Sequence, residues 1–258
     1  RMMKKVLGTV TVLALSVSLL AGCGSTAVSP VSSTASTAAE STTSSVVSET
    51  TSAAADENVA AAAQLLNDLT GSYQELWPVI LSDEYQQTWL DDCTALVGEE
   101  NAEAAFEKLS SMVTSDVYGE DAVEAYANGG GAYFCGFTNS LAILTFDGET
   151  STISGTDKDG NVLFSHTYHY IGMEPVRGLY EFESDDADSG EFTYFFLAPD
   201  TSAETYHIEF RYGSDAEALS QYDTGEYAYW LASGISTDCD QTMIDNCIEL
   251  FCTENLAG

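Results

Sequence analysis

Three histidines are present in this chain, and His207 has the neighbours best suited to metal chemistry. The segment 205–213 alternates apolar and polar residues, which predicts a strand with His207 and Glu209 on one face. An imidazole beside carboxylates forms an oxygen-rich site, better matched to Mn²⁺ or Ca²⁺, or to weak Zn²⁺ binding, than to tight zinc coordination. The alternative is that His207 lies on a solvated polar face, the usual setting of a single histidine.

Other donors lie close by in sequence. Asp200 and Glu204 precede the strand and would add oxygen ligands. His166 and His169 are three residues apart on a predicted strand, so they point to opposite faces and are expected to be structural. The acidic loop 185–191 has its glycine in the wrong register for a calcium-binding loop, which favours a solvated hairpin loop.

Catalytic signatures are missing from the sequence. It contains no nucleophile elbow, no phosphate-binding loop and no HExxH zinc motif. The 41 acidic residues are too many for one pair to stand out as acid and base. We therefore expect a protein that is not an enzyme.

The N-terminus predicts export and a lipid anchor. Residues 1–23 form a basic start, a short apolar run and the lipobox Leu20-Ala21-Gly22-Cys23. The apolar run is shorter than the roughly 20 residues that a membrane span needs. This pattern predicts cleavage before Cys23, its lipidation, and attachment to the outer face of the cell membrane.

Composition divides the remaining chain into two parts. Residues 24–57 are rich in Ser, Thr and Ala and lack aromatic residues, which predicts a flexible tether. Residues 58–258 hold all 14 Tyr, 11 Phe and 3 Trp, enough for the core of one domain. Five cysteines lie there, an odd number that favours buried free thiols but leaves one or two disulfides open: Cys93, Cys135, Cys239, Cys247 and Cys252.

Charge limits the partners. The chain has 41 acidic residues against 7 Lys and Arg, three of which lie in the predicted signal peptide. Phosphate binding needs clustered basic residues, so nucleic acid is excluded as a partner. Such a charge attracts cations, although acidity equally serves to keep an exported protein soluble.

The periodicity of the chain predicts helices followed by a barrel. Residues 58–112 follow a helical pattern, and after residue 131 the period changes to two. A closing helix is expected after a Thr237-Asp238 cap, and 226–235 reads as strand or helix. A mainly β, α+β fold follows: a lipocalin-like or calycin-like antiparallel β-barrel with an N-terminal helical segment and a C-terminal helix. Six stretches read as strands: 132–146, 150–156, 161–172, 177–184, 191–198 and 205–213.

Three stretches together resemble the ZinT-type zinc-binding domain family. Residues 71–81, GSYQELWPVIL, are similar to its Gly-x-Trp-x-x-x-Tyr-Pro segment, with Tyr73 and Trp77 at the aromatic positions. Residues 172–184 resemble its Gly-Val-Arg-Tyr-x-Phe-Glu strand. Residues 195–219 resemble the segment that runs from an Ala-Pro turn through a His-x-His strand.

The resemblance implies an exported, calycin-like domain that binds zinc at one mouth of the barrel and delivers it to an ABC metal importer. The family includes the C-terminal domain of streptococcal-type zinc-binding lipoproteins. Its three histidine ligands would fall at Phe195, Thr205 and His207, so only the third is retained. A zinc ion needs three or four ligands, which makes this a degenerate metal site.

Two alternatives use other residues. An envelope interaction module would dock through 211–219, where Arg211 and Tyr212 are typical contact residues. A metal-free barrel would hold a small organic ligand among the aromatic residues expected at its mouth: Phe195, Phe196, Tyr206, Tyr212 and Trp230.

Overall fold

A computed structural model describes residues 46–199 and 206–257, with side chains placed from Glu57 onward. The helices are α1 Val46–Asp68, α2 Leu76–Ile80, α3 Gln86–Val97, α4 Ala102–Val113, α5 Glu120–Ala125, α6 Ala216–Leu219 and α7 Gln241–Leu256. The strands are β1 Gly71–Glu75, β2 Ile143–Asp147, β3 Thr152–Thr156, β4 Val162–Met173, β5 Tyr180–Ser184, β6 Tyr194–Leu197, β7 His207–Gly213 and β8 Ala232–Ser236.

The eight strands form a closed antiparallel barrel in which each strand pairs with the next and β8 returns to β1. Closure leaves no unpaired strand edge, so the long β4 needs no other protection. The predicted barrel with a helical segment before it and a helix after it is confirmed. No helix in the described parts of the chain is long and apolar enough to cross a bilayer.

One strand was assigned wrongly from the sequence. The helical pattern predicted over 58–112 is interrupted by β1, which pairs with β2 and β8 and closes the barrel. The Ser72 and Thr145 hydroxyls hydrogen-bond across the β1–β2 pair at 2.8 Å, and Tyr73 packs edge-on against Phe146 at 5.7 Å. These partners are distant in sequence, so the local pattern does not reveal the strand.

Two helix starts also differ from the prediction. Helix α1 begins at Val46, inside the stretch 24–57 predicted to be a tether, as suits its alanine content. Helix α7 begins after Asp240, whose Oδ1 accepts a hydrogen bond from the Met243 N–H at 3.0 Å. The expected cap at 237–238 was wrong, because the Asp238 N–H donates back to the Ser236 hydroxyl in a turn. Residues 1–23, and Cys23 with them, lie outside the described part, and the division into domains stays a prediction.

Two hydrophobic cores lie on the two sides of the barrel wall. The inner core fills the barrel with aromatic rings, among them Phe195, Phe210 and Tyr212. The outer core lies between the barrel wall and α2, α3, α4 and α7, where the fully buried Trp89 donates from its indole to the Ile80 carbonyl. The outer face of this part of the barrel is therefore covered by helices.

Candidate functional site

His207 and Glu209 lie on the outer face of the barrel wall. Along β7, Ile208 and Phe210 point inward and belong to the inner core. His207 and Glu209 therefore point outward. His207 is paired with Ile235 of the neighbouring strand β8, and Ile235 belongs to the outer core. Both side chains are half-buried rather than solvated.

The ligand positions implied by the family resemblance do not come together here. Phe195 points into the barrel, where its ring stacks on that of Tyr212 with centroids 5.3 Å apart. His207 lies on the opposite face of the same wall. Thr205 falls outside the described residues, as do Asp200 and Glu204.

His207 and Glu209 line a cleft between the outer faces of β7 and β8 and helix α7, which we call the outer cleft. It comprises cavities of about 30 and 80 Å³ at these elements and a third, of about 330 Å³, which lies beside the end of β1, α2 and the segments 113–115 and 134–136. Trp77 of α2 lines all three. The resemblance placed Trp77 only at an aromatic motif position. Its place in the fold is at the centre of the outer cleft.

The smallest cavity brings together one imidazole and two carboxylates, from His207, Glu209 and Glu254. The sequence reading missed Glu254, although a signal was present. Cys247, Phe251 and Glu254 follow the i, i+4, i+7 spacing of one helix face, and the first two are packed in the outer core. What the sequence does not show is that this face meets β7.

The arrangement is not a preformed metal centre. Within residues 46–199 and 206–257, no three His, Cys, Asp or Glu side chains are grouped closely enough to hold a metal ion. The cleft thiols are poor ligands as they stand. Burial, and then the Glu209 carboxylate, raises the pKa of Cys135 and that of Cys247 to about 12, which keeps both thiols protonated.

We expect Cys135 and Cys247 to resist alkylation by iodoacetamide in the folded protein at pH 8. A thiol with a pKa of about 12 is a thiolate in roughly one molecule in 10⁴ at that pH, and the thiolate is the nucleophile. The half-buried Cys239 should react first, and denaturant should expose all five described thiols. Mass spectrometry of alkylated peptides measures this, and labelling of Cys135 at the rate of Cys239 would contradict it.

The other end of the outer cleft carries a guanidinium group. Arg177 Nη2 donates to the Tyr133 hydroxyl at 3.1 Å, and its Cζ lies 4.5 Å from the Tyr222 ring centroid. The buried Glu174 accepts from the backbone N–H groups of Val176 and Arg177, which fixes the turn that presents the arginine. Among the described residues Arg177 forms no ion pair.

The two remaining histidines are held by the acidic loop. His166 Nδ1 donates to Asp186 Oδ2 and His169 Nδ1 donates to Asp185 Oδ1, both at 2.7 Å. His166 lies on the inward-facing side of β4 and the more exposed His169 on its outward-facing side, as their spacing predicts. Each imidazole thus fastens the β5–β6 loop to β4, and neither lies at the outer cleft.

The structure does not place the residues behind the two alternative functions, a barrel with an organic ligand and a docking module, where those functions need them. The barrel interior expected to hold an organic ligand is filled by its own rings, including Phe195, Tyr212 and Trp230. The expected docking residues Arg211 and Tyr212 are both fully buried. Arg211 donates instead to the backbone carbonyls of the segment that covers it, and so braces the fold.

Comparison with known proteins gives a likeness of fold alone. No protein-family model and no curated protein matches the sequence. Among solved structures, the Zn(II)-bound ZinT-like domain of Streptococcus pneumoniae AdcA is 15% identical, covering 71% of this chain and 89% of that one, with a TM-score of 0.45. Zn(II)-bound AdcA from the same organism is 14% identical, with 72% and 35% covered and a TM-score of 0.42. Likeness at this level carries no inference about a metal in this chain.

Proposed function

We propose that this chain is an exported cation-binding protein whose site is the His207 end of the outer cleft. The observation that carries the proposal is that His207, Glu209 and Glu254 line one cavity of about 30 Å³. The ligands come from a strand and a helix, so closure of the cleft would bring nitrogen and oxygen donors to one ion. The acidic chain raises the local concentration of cations around that cavity.

The donor set favours modest affinity and broad selectivity. One nitrogen and two carboxylates suit Mn²⁺ and weak Zn²⁺ binding. Ca²⁺, which the sequence also suggested, ranks below them because it prefers six to eight oxygen ligands and this cavity offers two carboxylates. The neutral Cys247 thiol lines the same cavity, and it would have to lose a proton before it could bind zinc. Because the side chains are not preassembled around one point, cation binding must include their rearrangement, which lowers the affinity.

Titration calorimetry with Zn²⁺, Mn²⁺ and Ca²⁺ tests this proposal. We expect binding of Zn²⁺ and Mn²⁺ that is weakened at least about tenfold in His207→Ala and in Glu254→Gln, since each removes one ligand. His169→Ala is the matched control, because it removes an imidazole that is bound to Asp185 away from the cleft.

Two outcomes would contradict the proposal. One is the lack of binding of all three cations up to about millimolar concentration. The other is binding that His169→Ala weakens and His207→Ala does not, since the cation would then sit at the acidic loop. Thermal unfolding of each variant separates loss of ligands from loss of fold.

We also propose that the cation is captured at the outer face of the cell membrane. A lipid at Cys23 would hold the domain at the outer face of the cell membrane, and residues 24–57 would give it reach. Transfer to an ABC metal importer would then follow. The lipobox supports the first part, and the residue-level resemblance to the ZinT-type family supports the second.

A further inference from the structure

We infer that the Arg177 end of the outer cleft binds the carboxylate group of a small organic acid with an apolar body. It does not require a bound cation, because it rests on Arg177 and Trp77, although Glu209 and Glu254 line both cavities. No motif in the sequence points to a ligand of this class.

The guanidinium group of Arg177 is positioned by two tyrosine side chains and has donors left for a ligand. Its guanidinium lies over the Tyr222 ring at 4.5 Å and is further from the Tyr133 ring, at 5.4 Å. Of the five N–H donors of its side chain, one is used within the described residues, on the Tyr133 hydroxyl. In a chain with 41 acidic and 7 basic residues, a guanidinium on the wall of a cleft that forms no ion pair with the described residues is the unusual feature. A planar carboxylate matches its remaining donors.

Trp77 carries a second, separate polar group that faces the cleft. Its side chain is 8% exposed, and its indole Nε1 is buried with no hydrogen-bond partner among the described residues. The thiol of Cys135 lines the same cavity as Trp77 and is only a weak acceptor when protonated. Arg177 lines this cavity as well. A ligand oxygen placed there would satisfy a buried donor that otherwise costs stability.

The size and lining of the cleft define the rest of the ligand. The cavity at Arg177 measures about 80 Å³, room for a carboxylate and a few further atoms. The adjoining cavity of about 330 Å³ is bounded by Pro78, Leu81, Val113 and Phe134, and falls within the range of small-molecule sites. An aliphatic or aromatic body would lie there against Trp77.

The negative groups nearby limit the charge of the ligand. Glu209 and Glu254 line the same cavity as Arg177, and Glu174 accepts a hydrogen bond from the Tyr222 hydroxyl. Glu75 lines the adjoining cavity as well, so Arg177 offers one positive charge against four carboxylates, and a ligand with more than one negative charge is repelled. The site therefore suits a monocarboxylate and disfavours phosphates and polycarboxylates.

The test compares phenylacetate with its neutral analogue phenylacetamide by NMR titration of the full chain in the presence of EDTA. We expect phenylacetate to bind with a dissociation constant of roughly millimolar or below, at least about tenfold more tightly than the amide. Arg177→Gln should abolish that preference, and Arg177→Lys should reduce it because lysine lacks the planar fork. His207→Ala should leave it unchanged.

Lys158→Gln is the matched control, since it removes the same charge from an exposed residue that is paired only with Asp159. It should leave phenylacetate affinity as in the unmodified protein. The inference is overturned if the amide binds as tightly as the acid, if Arg177→Gln and Lys158→Gln have equal effects, or if phenylacetate fails to bind at about 20 mM. Retained binding by folded Arg177→Lys and Arg177→Gln alike would also overturn it.

Discussion

Replacing Phe195 with histidine is expected to lower the free energy of unfolding by about 3–5 kcal/mol and to leave zinc affinity unchanged. The substitution restores a ligand type at the position that the family resemblance assigns to the first zinc ligand. In this chain Phe195 is fully buried inside the barrel, stacked on Tyr212 at 5.3 Å and edge-on to Tyr168 at 5.4 Å. An imidazole there loses these contacts and buries polar nitrogens, while His207 lies across the wall.

Urea unfolding and zinc titration of the same preparations measure both halves of this prediction. Phe195→Leu is the control for volume, because it keeps the site apolar and should cost less than the histidine. A histidine variant that gained zinc affinity without losing stability would contradict the structure. It would place residues 195 and 207 on one face, which requires a one-residue change of strand register.

The sequence predicted the alternation along β7 but not what covers each face. Tyr206, Ile208 and Phe210 were expected on one side and His207, Glu209 and Arg211 on the other, and β7 has this alternation from His207 onward. The polar side was expected to meet water or the mouth of the barrel. It meets α7 and the segment after β7 instead, and Arg211 is fully buried there. The two-residue period of a strand determines which side chains share a face. Whether an outer face is buried depends on helices that are far away in sequence.

Contacts between residues far apart in sequence also explain why β1 and the position of Glu254 were not predicted. Residues 71–75 become a strand because β2 and β8, both more than sixty residues away, offer hydrogen-bond partners. Glu254 lines the candidate site because α7 docks on the barrel wall. Strands with a clear alternating pattern of their own, such as β3, β5 and β6, lie within the stretches predicted for them. The site is assembled from non-local contacts, which is why the sequence supplied its residues only in part.

Replacing Arg211 with methionine is expected to lower the free energy of unfolding by about 3–5 kcal/mol. The guanidinium donates to the carbonyl oxygens of Leu219, Gln221 and Tyr227, and its Cζ lies 4.3 Å from the Tyr222 ring centroid. Methionine fills similar space but leaves three carbonyl acceptors without this donor, two of them buried. Burial also lowers the pKa of Arg211, so removing the charge recovers part of its desolvation cost and keeps the loss below the sum of three bonds.

Urea unfolding measures this effect. Lys158→Met is the control, because it removes a basic residue from an exposed ion pair, and its free energy of unfolding should change by no more than about 0.5 kcal/mol. Arg211→Met should also weaken phenylacetate binding, because Arg211 helps to hold Tyr222 against Arg177. Zinc binding should change less, since His207 and Glu209 lie on β7 itself. If the methionine variant were as stable as the unmodified chain, the segment 216–231 would be held by its apolar contacts alone. Arg211 would then have no part in positioning the carboxylate end of the cleft.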